Sequence, residues 1–209
     1  MPEDAAGGIQ RTGGADVLGS SAPFTREDPV MDPSLSVDEA STHQTGLLAG
    51  LDVLVGGPIQ HAILESGFVG HLRDAITAAV HTASENGANV FSAHVAEKFG
   101  AETASFTPEQ VAVRDFHWMK RCDVFVAILP VLEDQTLGRT DGTHVELGWA
   151  TALERPVVLV TEQPFVESAS HLLKGLHTVG RVRAVDFDEF KEKPSLLVDA
   201  VLAVTEQPA

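Results

Sequence analysis

The sequence contains little of what several common kinds of functional site require. Its single cysteine, Cys122, excludes an internal disulfide and any zinc or iron–sulfur site built from several cysteines. No apolar run approaches the roughly 18 residues of a membrane-spanning helix, and the N-terminus MPEDAAGG lacks the basic start and apolar core of a signal peptide. We therefore expect a soluble, cytoplasmic protein without a membrane partner.

Basic residues are also scarce. The chain has 14 Lys and Arg against 30 Asp and Glu, which gives a formal net charge of -16 at pH 7. Proteins that hold polymeric nucleic acid grip its phosphates with a basic surface, and this composition argues against one. The expected partner is a small molecule, and any anionic group it carries must be bound by a few residues of one site.

The composition changes along the chain. Residues 1–48 are rich in Gly, Ser, Asp, Glu and Pro and show neither a helical nor a strand period, so they are predicted to be a disordered tail. Of the 209 residues 44% are hydrophobic, enough for one domain with a core, which we place at 49–209.

Five short apolar segments within this domain are predicted to be strands: LDVLVGG, ANVFSAH, DVFVAIL, PVVLV and HTVGRVRAVDF. Helical patterns lie between and after them, at about 65–86, from Thr107 through KRC, at 143–153 and at about 189–205. Continuous apolar strands that alternate with amphipathic helices predict an α/β fold. We expect a doubly wound five-stranded parallel sheet, flavodoxin-like or Rossmann-like, with helices on both faces.

Ligands of such sheets bind beyond the carboxyl ends of the strands, which here are predicted at 56–61, 92–96 and 130–143. Gly56 and Gly57 would let a ligand approach the backbone closely, although a tight turn would use them equally well. Neither G-x-G-x-x-G nor G-K-[ST] is present, so no dinucleotide or P-loop cofactor is predicted. The glycine pair is still compatible with a ligand that is a small phosphate or a sugar.

Glu146 is a carboxylate on an apolar helix face that also carries Trp149, Ala150 and Leu153. One interpretation is structural, because Thr143 and Glu146 have the spacing of a capping box. The other is functional, because a carboxylate kept ionised by the helix N-terminus beside a ligand crevice is a potential nucleophile.

Asp115 lies on a second apolar stripe, with Val111 before it and Met119 after it. An ion pair with Arg114 or Arg121 is the structural alternative, but those side chains are expected to leave the helix on other faces. A functional role is the other interpretation. No metal site is predicted, since His144-x-Glu146 lacks the two further cysteines of a zinc deaminase.

Five segments between Leu51 and Phe187 carry a resemblance to a known family: GGPI, SAHVAEKFGAE, RDFHWMKRCDVFVAI, GTHVELGWA and PVVLV. In this order they resemble the nucleoside 2-deoxyribosyltransferase superfamily. Within it, the chain looks most similar to nucleotide N-glycosidases, namely the cytidylate hydrolases of nucleoside-antibiotic pathways and the 2'-deoxynucleoside 5'-monophosphate N-hydrolases.

The resemblance implies that Glu146 attacks C1' of the sugar and that Asp115 orients the substrate and handles the proton of the departing base. It implies no cofactor, and a homodimer in which Ser170 is lent across the interface. The residues expected to bind substrate are Gly56, Gly57, Pro58, Ile59, His61, His94, Thr140, Asp141, Gly142, Thr143 and Ser170.

The chain also departs from its relatives. Thr140 stands where the transferases carry an acid, and Ile59, Gln60 and His61 stand where the hydrolases carry an arginine or an aromatic residue. The sequence contains no tyrosine, which removes one common sugar contact. The expected activity is hydrolysis of the N-glycosidic bond of a nucleoside or nucleoside 5'-monophosphate. A base-exchanging transferase and a non-catalytic nucleotide-binding module are the alternatives.

Overall fold

The computed structural model describes residues 46–59, 62–64 and 67–206. Most of the predicted tail lies outside them, and its role and boundary stay predictions. Leu48, the last residue placed in the tail, is fully buried in the core, and its N–H donates to the carbonyl of Asn86 over 2.8 Å. The folded part of the chain therefore includes Leu48.

Seven strands and seven helices follow one another along the described residues. They are β1 (Asp52–Gly56), β2 (Ile63–Leu64), β3 (Gly67–Phe68), α1 (Gly70–Glu85), β4 (Asn89–Phe91), α2 (Ala93–Ala96), α3 (Pro108–Arg121), β5 (Val124–Ile128), α4 (Asp141–Ala152), β6 (Val157–Val160), α5 (His171–Lys174), β7 (Val182–Val185), α6 (Phe187–Glu192) and α7 (Leu196–Thr205). None of these helices is long and apolar enough to cross a membrane.

The main sheet has five strands in the order β4-β1-β5-β6-β7, and every neighbouring pair is parallel. Counted along the chain, this order is 2-1-3-4-5, which is the flavodoxin-like arrangement. The predicted fold is confirmed, and each of the five predicted segments contains one of these strands.

Three predicted helices differ from the structure, the first being α4, which begins at Asp141 rather than at residue 143. The antiparallel pair β2 and β3 precedes α1, so this helix begins at Gly70 rather than near residue 65. The predicted C-terminal helix is divided into α6 and α7 at Pro194, whose ring and missing N–H interrupt helical hydrogen bonding.

Alternating side chains of the sheet build two separate cores. Val124 and Val126 of β5 face the core that α1 and α7 cover, whereas Phe125 and Ala127 face the core that α3 and α4 cover. All four are fully buried. Because both faces are covered, the strands are continuous apolar runs, and polar chemistry is left to the strand ends.

Candidate active site

A cavity lies at the carboxyl ends of β1 and β5, where the strand order reverses. The turn after β1, helices α2 and α3 and the first turns of α4 form its walls. The lining residues are Gly56, Gly57, Ile59, Ala93, His94, Glu97, Thr103, Val111, Asp115, Thr140, Gly142, Thr143 and Glu146. The cavity therefore joins groups that lie up to 90 residues apart in the sequence.

Most of the predicted site residues meet in this cavity. They are Gly56, Gly57, Ile59, His94, Asp115, Thr140, Gly142, Thr143 and Glu146. Pro58 follows this glycine pair, and its carbonyl oxygen bonds to His94. Asp141 is exposed and pairs with Arg139. Ser170 lines a different cavity, beside α4 and α5, and His61 lies outside the described residues.

The predicted capping role of Glu146 is wrong. Helix α4 begins at Asp141, and its N-cap is Thr140, whose Oγ1 accepts a hydrogen bond from the N–H of Thr143. Glu146 is the sixth residue of the helix, beyond the first turn in which a carboxylate bonds to the cap. Its side chain instead turns to β1, where a Cβ added to Gly56 would lie 2.9 Å from Glu146 Oε2.

The surroundings of Glu146 favour the protonated form of its carboxyl group in the free protein. Burial raises its pKa to about 8, the negative charge of Asp115 adds to this, and Arg114 opposes it. The expectation that the helix N-terminus keeps this group ionised is therefore wrong. Loss of hydration outweighs the helix dipole, whose effect fades beyond the first turn.

Asp115 is paired with Arg114, contrary to the sequence-based expectation. The Nε–H of Arg114 donates to Asp115 Oδ1 over 2.8 Å, although the two residues are adjacent on α3. The arginine side chain is long enough to fold back, and its guanidinium lies over the rings of Phe106 and Trp118. Burial raises the pKa of Asp115, and Arg114 opposes this shift.

Glu97 and Arg114 complete this site and were not predicted. Glu97 is only 2% exposed; its Oε1 accepts from Nη2 of Arg114 over 2.6 Å, and its Oε2 accepts from Oγ1 of Thr103 over 2.6 Å. Arg114 thus links two buried carboxylates. Glu97 caps the C-terminus of α2, whereas Arg114 lies on α3, 17 residues later, so no local pattern relates them.

His94 is fully buried at the wall of the cavity, and its Nε2 lies 3.1 Å from the carbonyl oxygen of Pro58. Burial lowers the pKa of His94 to about 4, so the ring is neutral at neutral pH. Phe68 and Phe99 pack around it, with ring centroids 6.0 and 6.1 Å away.

Within 46–59, 62–64 and 67–206, no three His, Cys, Asp or Glu side chains are grouped so as to hold a metal ion. Cys122 is buried, and burial raises the pKa of its thiol to about 12, so it is no nucleophile at neutral pH.

The fold and this cavity define a flavodoxin-like α/β protein with an acidic crevice at the reversal of its strand order. The sequence profile of the nucleoside 2-deoxyribosyltransferase family matches residues 66–177, and the chain belongs to this family. The resemblance predicted from the motifs is thereby confirmed.

Two solved structures of similar proteins are relevant. BlsM, whose solution structure is known, has 29% sequence identity to this chain. The alignment covers 77% of this chain and 98% of BlsM, and the two structures superpose with a TM-score of 0.58. The CMP N-glycosidase BcmB of Clostridium botulinum is 25% identical and covers 69% of this chain and 98% of its own, with a TM-score of 0.48. A search of the curated proteins found no match.

Proposed function

We propose that this protein is an N-glycosidase that hydrolyses a nucleoside or nucleoside 5'-monophosphate to the free base and the sugar or sugar phosphate. The observation that carries the proposal is that Glu146 of α4 and Asp115 of α3 line one cavity at the strand ends. Two carboxyl groups in different environments are the equipment of a glycosidase. The family to which the chain belongs supports a nucleoside or nucleotide as the substrate.

In the proposed reaction Glu146 attacks C1' from the face opposite the base. The bond between C1' and the base nitrogen breaks, its electrons leave with the base, and a proton from Asp115 neutralises the base. Water then attacks C1' of the resulting glycosyl ester, gives a proton to Asp115, and releases Glu146 as a carboxylate. A close carboxylate suits this chemistry because positive charge develops at C1' in both transition states.

Glu146 must lose its proton before it can attack C1'. In the free protein its surroundings favour the protonated form of its carboxyl group, because burial raises the pKa to about 8. We infer that this proton passes to Asp115 when substrate binds. The transfer ionises the nucleophile and also supplies the acid that the departing base needs, so one shared proton serves both roles.

The cavity has a volume of about 100 Å³, below the roughly 300 to 1,000 Å³ of ordinary ligand sites. A nucleotide would extend beyond it, with the backbone N–H groups at the start of α4, beside Thr140 and Gly142, as donors toward a phosphate. We propose that a homodimer completes the site through the segment 166–174, which contains Ser170. Leu172 in this segment is 87% exposed, which suits a residue that a second subunit covers.

A base-exchanging transferase is the second candidate, and the description of the matched family favours it. The first half of the reaction is the same in both, and the difference is whether water or a second base attacks the glycosyl ester. Product analysis with and without an added base separates them. Hydrolysis gives free sugar at an unchanged rate, whereas transfer gives a new nucleoside only when the second base is present.

The test is release of free base from a panel of nucleosides and nucleoside 5'-monophosphates, followed by chromatography. We expect release by the wild type and a loss of several orders of magnitude in Glu146→Gln, because an amide cannot form the ester. Glu109→Gln is a matched control, since it makes the same change at an exposed carboxylate in the first turn of α3, outside the cavity lining, and is expected to keep most of the activity. Ligand binding without any release by the wild type would support a nucleotide-binding module instead.

A further inference from the structure

The hydrogen bond between His94 and Pro58 determines the tautomer of His94. A carbonyl oxygen can only accept, so the Nε2 atom that lies 3.1 Å from it carries the ring proton. The neutral ring then has a bare lone pair on Nδ1. His94 therefore presents an acceptor, not a donor, at its second nitrogen.

This acceptor has no partner within the described part of the chain, although His94 is 0% exposed. The neighbouring rings of Phe68 and Phe99 are apolar. Buried polar atoms of side chains are nearly always hydrogen-bonded, and the exceptions often mark a functional role. His94 lines the same cavity as Glu146, so a ligand in that cavity is the natural source of a donor.

Glu146 and His94 both lie beside the glycine pair that follows β1. A Cβ added to Gly56 would lie 2.9 Å from Glu146 Oε2, and one added to Gly57 would lie 3.6 Å from His94 Cε1. Glu146 and His94 thus flank two consecutive glycines, and both line the one cavity of about 100 Å³. A pentose whose C1' is at Glu146 has its hydroxyl groups within a few bonds of that carbon.

We propose that Nδ1 of His94 accepts a hydrogen bond from a hydroxyl group of the substrate's sugar and thereby selects sugars that carry it. This inference rests on the proposed function, from which the sugar and its placement at Glu146 are taken. A fully ionised phosphate has only acceptor oxygens and would meet the lone pair of Nδ1 unfavourably. The phosphate of a nucleotide must therefore lie elsewhere, on the side of Thr140 and Gly142.

Two substitutions separate the two nitrogens of His94. His94→Gln places an amide nitrogen at the position of Nε2, so it keeps the bond to Pro58 and loses the acceptor. His94→Asn places its amide group at the position of Nδ1, so it keeps an acceptor and loses the bond to Pro58. Both variants are made in the full chain with Glu146→Gln, so that ligands are not consumed, and melting temperatures establish that they fold.

The measurement is calorimetric binding of a nucleoside 5'-monophosphate and its 2'-deoxy and 3'-deoxy analogues with the same base. With His94 present, removal of the selected hydroxyl is expected to weaken binding about 5- to 30-fold, because the buried acceptor is left unpaired. His94→Gln should bind that analogue and the parent nucleotide equally, whereas His94→Asn should retain much of the preference.

Base release by the wild-type chain is followed in parallel on the same ligands. A preference for one hydroxyl that survives His94→Gln overturns the inference about His94. Equal binding of all three ligands when His94 is present overturns it as well. In both cases the proposed hydrolase still stands if base is released. A preference that disappears in His94→Gln without any base release supports the inference and contradicts the hydrolase. Absence of both binding and release refutes both proposals.

Discussion

The Nε–H group of Arg114 donates a hydrogen bond to Oδ1 of Asp115 over 2.8 Å, and the same guanidinium bonds to Glu97 through Nη2. Asp115 and Glu97 are 8% and 2% exposed, so Arg114 is the counter-charge for two carboxylates that water scarcely reaches. The relationship makes Arg114 a structural requirement of the site.

Substitution of Arg114 by Met should therefore be strongly destabilising. Removal of one partner leaves buried carboxylates without a counter-charge, and we expect a loss of roughly 3 kcal/mol or more in the free energy of unfolding, measured by urea denaturation. Arg139→Met is the control, because its ion pair with Asp141 has side chains 70% and 69% exposed and should contribute less than about 1 kcal/mol. Equal losses in the two variants would show that the buried network contributes no more than a surface pair.

Glu146→Gln should become more stable than the wild type as the pH rises. The pKa of Glu146 is raised from 4.5 to about 8, so over this interval the folded protein keeps a proton that the unfolded chain releases. Stability of the wild type is lost across that window, whereas the amide variant has no such proton. The difference in melting temperature should be small at pH 4.5 and largest at pH 8 and above, and Glu192→Gln, at an exposed glutamate, is the control. Parallel curves for Glu146→Gln and the wild type would mean that Glu146 is ionised when folded.

The pH profile of base release should change in Asp115→Asn. A pair that shares one proton works until that proton is lost, so kcat/KM of the wild type should fall above about pH 8. Without Asp115 the proton of Glu146 must go to solvent, and the rate, although much lower, should rise with pH as Glu146 ionises. This rise is expected below about pH 8, because the charge of Asp115 no longer raises the pKa of Glu146. A variant whose rate falls in parallel with that of the wild type would argue against a shared proton.

Gly56→Ala should disturb both the site and the core beside it. The new methyl group would lie 2.9 Å from Glu146 Oε2 and 2.9 Å from Cε2 of Phe125, closer than such contacts allow. The Glu146 side chain must shift, and we expect at least a tenfold loss of kcat/KM, since small displacements of a reacting group are costly. Gly70→Ala is the control, because nothing lies within 4 Å of the added Cβ and its φ is not positive. Full activity of Gly56→Ala would show that the reaction does not depend on the position of the Glu146 carboxyl group.

Leu172→Glu should disrupt the proposed homodimer. The side chain is 87% exposed in one subunit, so the charge is harmless to the subunit itself and unfavourable only where another subunit covers it. Light scattering should show a lower molar mass than for the wild type, with reduced activity. Leu47→Glu, at a leucine that is 67% exposed, is expected to change neither. A wild-type chain that is monomeric and fully active at the working concentration would refute the shared site.

The sequence alone determined the layers of the fold and the two carboxyl groups of the site. The five apolar segments predicted the strands because a parallel sheet covered on both faces selects continuous runs such as Val124–Ile128. Glu146 and Asp115 were recognised because charged residues on apolar helix faces are unusual, and because the motifs around them resemble one family.

Only the tertiary structure decided how these groups are paired and charged. The cap of α4 is Thr140 rather than Thr143, because the loop that precedes the helix sets where the backbone first becomes helical. Glu97 meets Arg114 across 17 residues of sequence, and this pairing depends on how α2 and α3 pack. The proton on Glu146 has the same origin: its pKa reflects lost hydration and the charge of Asp115, which exist only once α3 and α4 enclose one cavity at the ends of β1 and β5.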